Sequence, residues 1–243
     1  MKNEKLTSLG AVFGWFGAYL FISILSSGLP DGIDSAVTLL ALWGLIFICA
    51  GKKTLPEMLS HGGINKTSVA VILFAFFAGA GLNLAYSGLL PLLPLPEEIV
   101  ESYVDASAKY EEPSKALMFK TVFLVPVLEE TVFRGLIGDR ISRFAPKWLA
   151  IPIASLIFAL MHGSLLWCAY AFLSGLVLTW LYFRCNSILP CISFHLAFNA
   201  ANYLWVKILP LPDEAWAYAV SLVIGLLMCA GALFIVNKRR TEF

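Results

Sequence analysis

Eight stretches of nearly unbroken apolar residues recur along the chain, at 9–27, 36–51, 67–86, 117–140, 148–163, 166–184, 188–207 and 215–236. A helix crossing about 30 Å of hydrocarbon needs roughly 20 such residues. The pattern therefore predicts an all-α polytopic membrane protein with about eight transmembrane helices in a single bundle. The fifth and sixth runs are short and are joined only through "HGS" at 162–164. They predict a hairpin whose tip stays below the membrane surface, where non-helical backbone is tolerated only against protein or a wet cavity.

Two loops exceed turn length. The first, "SGLLPLLPLPEEIVESYVDASAKYEEPSK", joins a proline-rich stretch to a predicted amphipathic helix near 97–109, and the second, near 52–66, reads as an interfacial segment. Neither is long enough for another folded domain, so residues 1–243 form one membrane domain. An even number of spans returns both termini to one side, and Lys and Arg concentrate in cytoplasmic loops. With both termini cytoplasmic, twelve of the 17 basic residues fall inside. Lys109, Lys115, Lys120 and Lys207 fall outside, with Asp31, Asp34 and the acidic 97–112 segment, and Arg134 lies within a run.

Composition agrees with the pattern: 59% of the 243 residues are hydrophobic and 14% are charged, and the mean hydropathy is +0.81, beyond the range of soluble domains. A net charge of +1 and the absence of a basic cluster interleaved with aromatics exclude nucleic acid as a partner. The five cysteines sit in or beside apolar runs without a C-x-x-C pair, and read as buried free thiols. "MKNEK" and the run after it resemble a signal peptide, but no A-x-A-like site follows, which favours an uncleaved first span.

The fourth run carries charges that an apolar environment makes costly. "VLEETVFRG" at 127–135 places Glu129 and Glu130 near the middle of the run and Arg134 about one turn further on. Each costs about 2.5 to 3.5 kcal/mol at mid-bilayer on translocon scales, and an ionisable group at that depth reads first as functional. Glu130 and Arg134 are spaced i, i+4 and can pair, while Glu129 points about 100° away. That spacing predicts a supporting Glu130–Arg134 pair and a freer Glu129 aimed at whatever the bundle encloses. Pro126 predicts an unbonded carbonyl one turn back and a kink. The alternative is a structural ion pair, or a helix ending at Leu128 with its charges among headgroups.

Of three histidines, His61 lies in a polar loop and reads as an ordinary exposed residue. His162 ends "FALMH" on the fifth run, and His195 begins "HLAFN" on the seventh with Asn199 one turn later. Converging these with the carboxylates satisfies donors and acceptors that lipid would leave unpaired. Three classes of chemistry fit such a cluster. A hydrolase would use Glu129 as general base, with His and Asn donors for an oxyanion. A metalloenzyme would place His162, His195 and Glu129 on zinc, and a proton-coupled transporter would use the same groups as a relay. Spacing alone leaves all three open.

"EETVFRG", "FALMH" and "HLAFN" resemble, in order, the E-E-x-x-x-R, F-x-x-x-H and H-x-x-x-N motifs of the CPBP family, the CAAX prenyl endopeptidase and bacteriocin-processing (Abi) intramembrane proteases. The resemblance covers residues 115–207, a protease core, and no motif position departs from it. It implies an endopeptidase acting on membrane-associated protein or peptide substrates, with Glu129 activating water and His162 positioning that water. His195 and Asn199 would polarise the scissile carbonyl, and Glu130 and Arg134 would support the site. Zinc held by His162, His195 and Glu129 is the alternative cofactor reading, with direct glutamate activation preferred. A non-catalytic bacteriocin-immunity or interaction protein remains the alternative function. A bacterial inner membrane is the expected location.

Overall fold

The computed structural model describes residues 2–50, 57, 59–60, 62–110, 112–205 and 212–239. His61, Lys207 and much of the 52–66 segment fall outside these. Among the described residues the regular structure is all helical, with no strand. In chain order the elements are α1 (Lys2–Ser26), α2 (Ile33–Ala50), α3 (Val69–Leu89), α4 (Glu97–Ser107), α5 (residues 115–142), α6 (Lys147–Ala159), α7 (Leu165–Cys185), α8 (Leu189–Tyr203) and α9 (Ala215–Arg239). Each apolar run becomes a helix, and α4 is the amphipathic segment after the prolines.

Length separates these helices. Residues Thr7–Ser26 of α1, then Val69–Leu92, α7 and α9 are long and apolar enough to cross a membrane. With 13 residues α6 rises about 20 Å, short of a bilayer core, while α8 rises about 22 Å over its 15 residues and passes into a π-helical turn at 204–205. Among the described residues four helices thus qualify as spans on length and composition, where the run pattern predicts eight. Exposed apolar side chains such as Phe13, Ile24, Leu40, Ile48 and Leu227 cover the outer faces. Apolar surface on that scale suits lipid rather than water.

Two apolar clusters build the interior. One gathers α1, α2, α5, α6 and α7 around Leu42, Phe133, Leu136 and Phe158. The other joins α3, α7, α8 and α9 around Ala75, Leu181 and Phe194. Small residues bring the helices of the second cluster together: a Cβ at Gly79 would run into the Phe194 carbonyl, so only glycine lets α8 approach α3 this closely. At the far end of α5, Lys120 Nζ reaches Asp34 Oδ2 at 2.6 Å and Asp31 Oδ1 at 3.1 Å, tying the α1–α2 turn to α5. Of the cysteines expected to be buried, Cys191 and Cys229 are, whereas Cys168 and Cys185 are half-buried and Cys49, on an outer face of α2, is exposed.

The spine of the fold is α5, and it is not the regular helix that the run predicts. It opens as an α-helix (Lys115–Phe119), widens to a π-helix (Lys120–Leu124), narrows over Val125–Glu129, widens again over Glu130–Gly138 and closes at Asp139–Ser142. Pro126 supplies a cause for the first change. A helix-interior proline lacks an N–H and crowds the carbonyl four residues back, and a wider turn relieves both. Every residue from Glu130 to Gly138 is buried.

Gly135, in the second wide turn, receives the loop at Gly62 and Gly63. A Cβ there would strike the Gly62 carbonyl oxygen, and the same loop is held by Ile188 N–H donating to Gly63 O at 2.9 Å. Gly135→Ala is therefore expected to destabilise the fold by about 1 to 3 kcal/mol, the usual range for overpacking. A lowered apparent melting temperature in detergent checks this, and an unchanged one would mean that the loop moves aside freely.

Candidate active site

The two clusters meet where α5 faces α8, and the contact is polar. Glu130, wholly buried, accepts at Oε1 from Arg134 Nη1 at 3.0 Å, the i, i+4 pair of the sequence. The same oxygen accepts from Nδ1 of His195 at 2.8 Å. A buried carboxylate needs cations or protons against it, and here it has two donors from two helices. Arg134 also lies over the Phe158 ring, 4.2 Å from its centroid, so α6 contributes to holding the guanidinium.

His195 is thereby fixed at one nitrogen and presents the other. Its Nε2 lies 3.8 Å from Oε2 of Glu129, an oxygen that is buried and accepts no hydrogen bond. Glu130 is locked, whereas Glu129 keeps 16% of its side chain exposed. One imidazole thus spans two carboxylates with different constraints.

His162 lies in the turn just past α6, after the cap at Leu160 and before Gly163 at φ +76°. Its Nδ1 donates to the Phe158 carbonyl at 3.0 Å, which leaves Nε2 as the free ring nitrogen. Phe158 sits edge-on to both imidazoles, with ring centroids 4.7 Å from His162 and 6.1 Å from His195.

Asn199 donates from Nδ2 to the Thr121 carbonyl at 2.8 Å. The first wide turn explains why that carbonyl is available. Val125 N–H bonds five residues back to Lys120 O. The next donor in that series is residue 126, a proline, so Thr121 O has no helical partner in the series. The Asn199 amide takes its place with one hydrogen and keeps the second. Thr121 adds a contact from Oγ1 to the Tyr203 hydroxyl at 2.9 Å, fixing the same end of α8.

His162, His195 and Asn199 line one cavity of about 230 Å³, closed further by residues of α3, α4 and α7. Glu129 does not line it, but its carboxylate stands behind His195, which does. The remaining wall is aromatic and amide: Tyr86 stacks on Tyr170 at 4.7 Å, and Asn83 of α3 donates to Asn202 of α8 at 2.7 Å. Burial raises the Tyr103 phenol above its ordinary range, so that group on the cavity rim keeps its proton.

All six residues singled out in the sequence lie in this region, and Phe158, Thr121, Asn83 and Asn202 join them. Asn202 was findable, since it follows Asn199 by three on the same helical face. Thr121 was not, because its contribution is a backbone atom.

The zinc reading fares differently. Zinc at about 2.0 to 2.2 Å from N and O ligands draws their atoms within about 3.5 Å of each other. His195 Nε2 and Glu129 Oε2 are wider apart than that, and among the described residues no three His, Cys, Asp or Glu side chains group as a metal site requires. Zinc would need Glu129 and His195 to close by a few tenths of an ångström and a third ligand to join them, and no step is derived through it.

Residues 112–201 match the family model described as type II CAAX prenyl endopeptidase Rce1-like. No curated protein and no solved structure matches the chain. The match gives no support to the bacteriocin-processing or metallopeptidase expectations. It does coincide with the three motifs and with the elements that carry the clustered carboxylates, imidazoles and amide. Over residues 112–201, 90 of the 243 in the chain, the protein is similar to the Rce1-like, type II CAAX prenyl endopeptidase family.

Proposed function

We propose that the protein is an intramembrane endopeptidase that hydrolyses a peptide bond in a membrane-associated protein or peptide, with Glu129 as the general base on water. The observation that carries this reading is the bridge made by His195, 2.8 Å from the locked Glu130 and 3.8 Å from the unpartnered Glu129. A carboxylate oxygen with no donor of its own, next to a fixed imidazole that lines the cavity, is placed to hold a proton transiently.

In this mechanism Glu129 takes a proton from water as its oxygen adds to the substrate carbonyl. His162, through its free Nε2, orients the water. The negative charge that develops on the carbonyl oxygen is met by the second N–H of Asn199 and by His195. When His195 carries protons on both nitrogens, it and Arg134 balance Glu129 and Glu130, and its Nε2–H is the second donor. Collapse of the tetrahedral intermediate returns the proton from Glu129 to the leaving amine, so acid and base are one residue.

We further propose that both termini face the cytoplasm, from the twelve-to-four division of basic residues, and that the shorter helices complete an eight-segment bundle around the cavity. A bacterial inner membrane is the proposed location. Comparing membrane-peptide termini between cells carrying the wild-type chain and cells carrying Glu129→Gln tests the function. New termini confined to the wild type support it; identical sets oppose it. The base mechanism also predicts that purified protein dialysed against a strong chelator keeps its full rate. Loss of rate restored by added zinc would instead establish a metallopeptidase.

A further inference from the structure

The cavity extends past the catalytic groups toward a pair of amides that the mechanism above does not use. Asn83 of α3 is 2% exposed and donates from Nδ2 to Asn202 Oδ1, yet its own Oδ1 accepts no hydrogen bond. A buried amide oxygen without a donor, on the wall of a cavity, is costly to leave unpaired and calls for a ligand that can donate. Asn202 is the third polar residue of one face of α8, after His195 and Asn199.

The spacing along that face has a consequence for a bound chain. From His195 to Asn202 the helix rises about 10.5 Å at 1.5 Å per residue. An extended peptide rises about 3.3 Å per residue, so its backbone amide about three residues from the scissile bond would lie level with Asn202 and Asn83. The pair then offers what a peptide group lacks once it leaves water: an acceptor for its N–H, and an amide neighbour beside it.

We propose that Asn83 and Asn202 form a backbone clamp for an extended peptide substrate, with Asn83 Oδ1 accepting one substrate N–H about three residues from the bond that is cut. Recognition of this kind reads chain conformation and leaves side-chain identity to the aromatic wall of Tyr86, Tyr103 and Tyr170. The clamp rests on the endopeptidase reading.

The test uses the full-length protein in proteoliposomes and a pool of synthetic, palmitoyl-anchored peptides of randomised sequence, with cleavage sites read by mass spectrometry. One cleaved peptide is then resynthesised with a single N-methyl group at each backbone amide in turn. In the wild type, methylation at one position about three residues from the cut is expected to lower kcat/KM about tenfold, as loss of one hydrogen bond would. In Asn83→Leu the unmodified peptide should be slowed by about the same factor, and methylation at that position should do nothing more, since the two changes remove one interaction. Asn83→Ala, which also removes Oδ1, provides the same comparison should Asn83→Leu fail to fold. Methylation profiles that are the same in the wild type and the variant overturn the clamp while leaving the peptidase standing. A wild type that cleaves no peptide in the pool overturns the endopeptidase reading and the clamp together.

Discussion

Glu129→Gln should leave a fully folded protein that hydrolyses its substrate about a thousandfold more slowly, within the 10² to 10⁴ range that general acid–base groups contribute. Glutamine keeps the size and hydrogen-bonding shape of the side chain but cannot take a proton. Its fold should be unharmed, because Glu129 Oε2 accepts no hydrogen bond and lies 3.8 Å from His195 Nε2. Nothing structural is removed with the charge. The loss should appear in kcat with KM nearly unchanged, since a base that acts on water holds no part of the peptide. Steady-state kinetics beside a thermal melt separate this from unfolding. A matched fall in melting temperature would mean that Glu129 is part of the scaffold.

Arg134→Ala is expected to act in the opposite manner, through the fold. Glu130 is wholly buried, and Arg134 is its only full-time cation among the described residues; removing one partner of such a pair costs about 3 to 5 kcal/mol. That is a large share of the 5 to 15 kcal/mol that holds a typical domain together. The cavity left over Phe158 adds to the loss. Little folded protein should be recovered after extraction. The double variant Glu130→Gln with Arg134→Met removes both charges and keeps the volume, and should recover most of the folded yield. The amide introduced in place of the Glu130 carboxylate can still accept from His195 through its carbonyl oxygen, but the imidazole loses its anionic anchor, so the refolded variant should remain slow. Size-exclusion profiles of the three proteins check the fold, and a double variant as poorly folded as Arg134→Ala would show that the pair is needed for more than charge balance.

The contrast between these variants follows from features that differ in how plainly a sequence shows them. Glu130 and Arg134 were legible because both lie on one helix four residues apart, and a charge in an apolar run has few places to go. His162, His195 and Asn199 were legible as isolated polar residues in runs that otherwise contain few, and their motifs added order. The wide turns of α5 were not. Pro126 marks a disturbance, but whether a helix kinks or widens there is decided by what packs on it, and here Asn199 occupies the Thr121 carbonyl from α8. The Asn83–Asn202 pair is separated by 119 residues, so each asparagine alone looks like a stray polar group. The number of crossings was no easier to read: apolarity reports burial against protein as well as against lipid, and α6 is apolar and packed at a length short of a bilayer core.

These separate observations share one physical basis, a locked acid and a free acid on adjacent positions of a buried helix, joined through one imidazole. The most direct test is hydrolysis by the purified protein in proteoliposomes made in water enriched in the heavy oxygen isotope. The wild type should place a single heavy oxygen in the new carboxyl terminus of the product, and Glu129→Gln, folded to the same extent, should yield almost none in the same time. Equal incorporation by both proteins would contradict the assignment of Glu129 as the base and with it the mechanism built on this site.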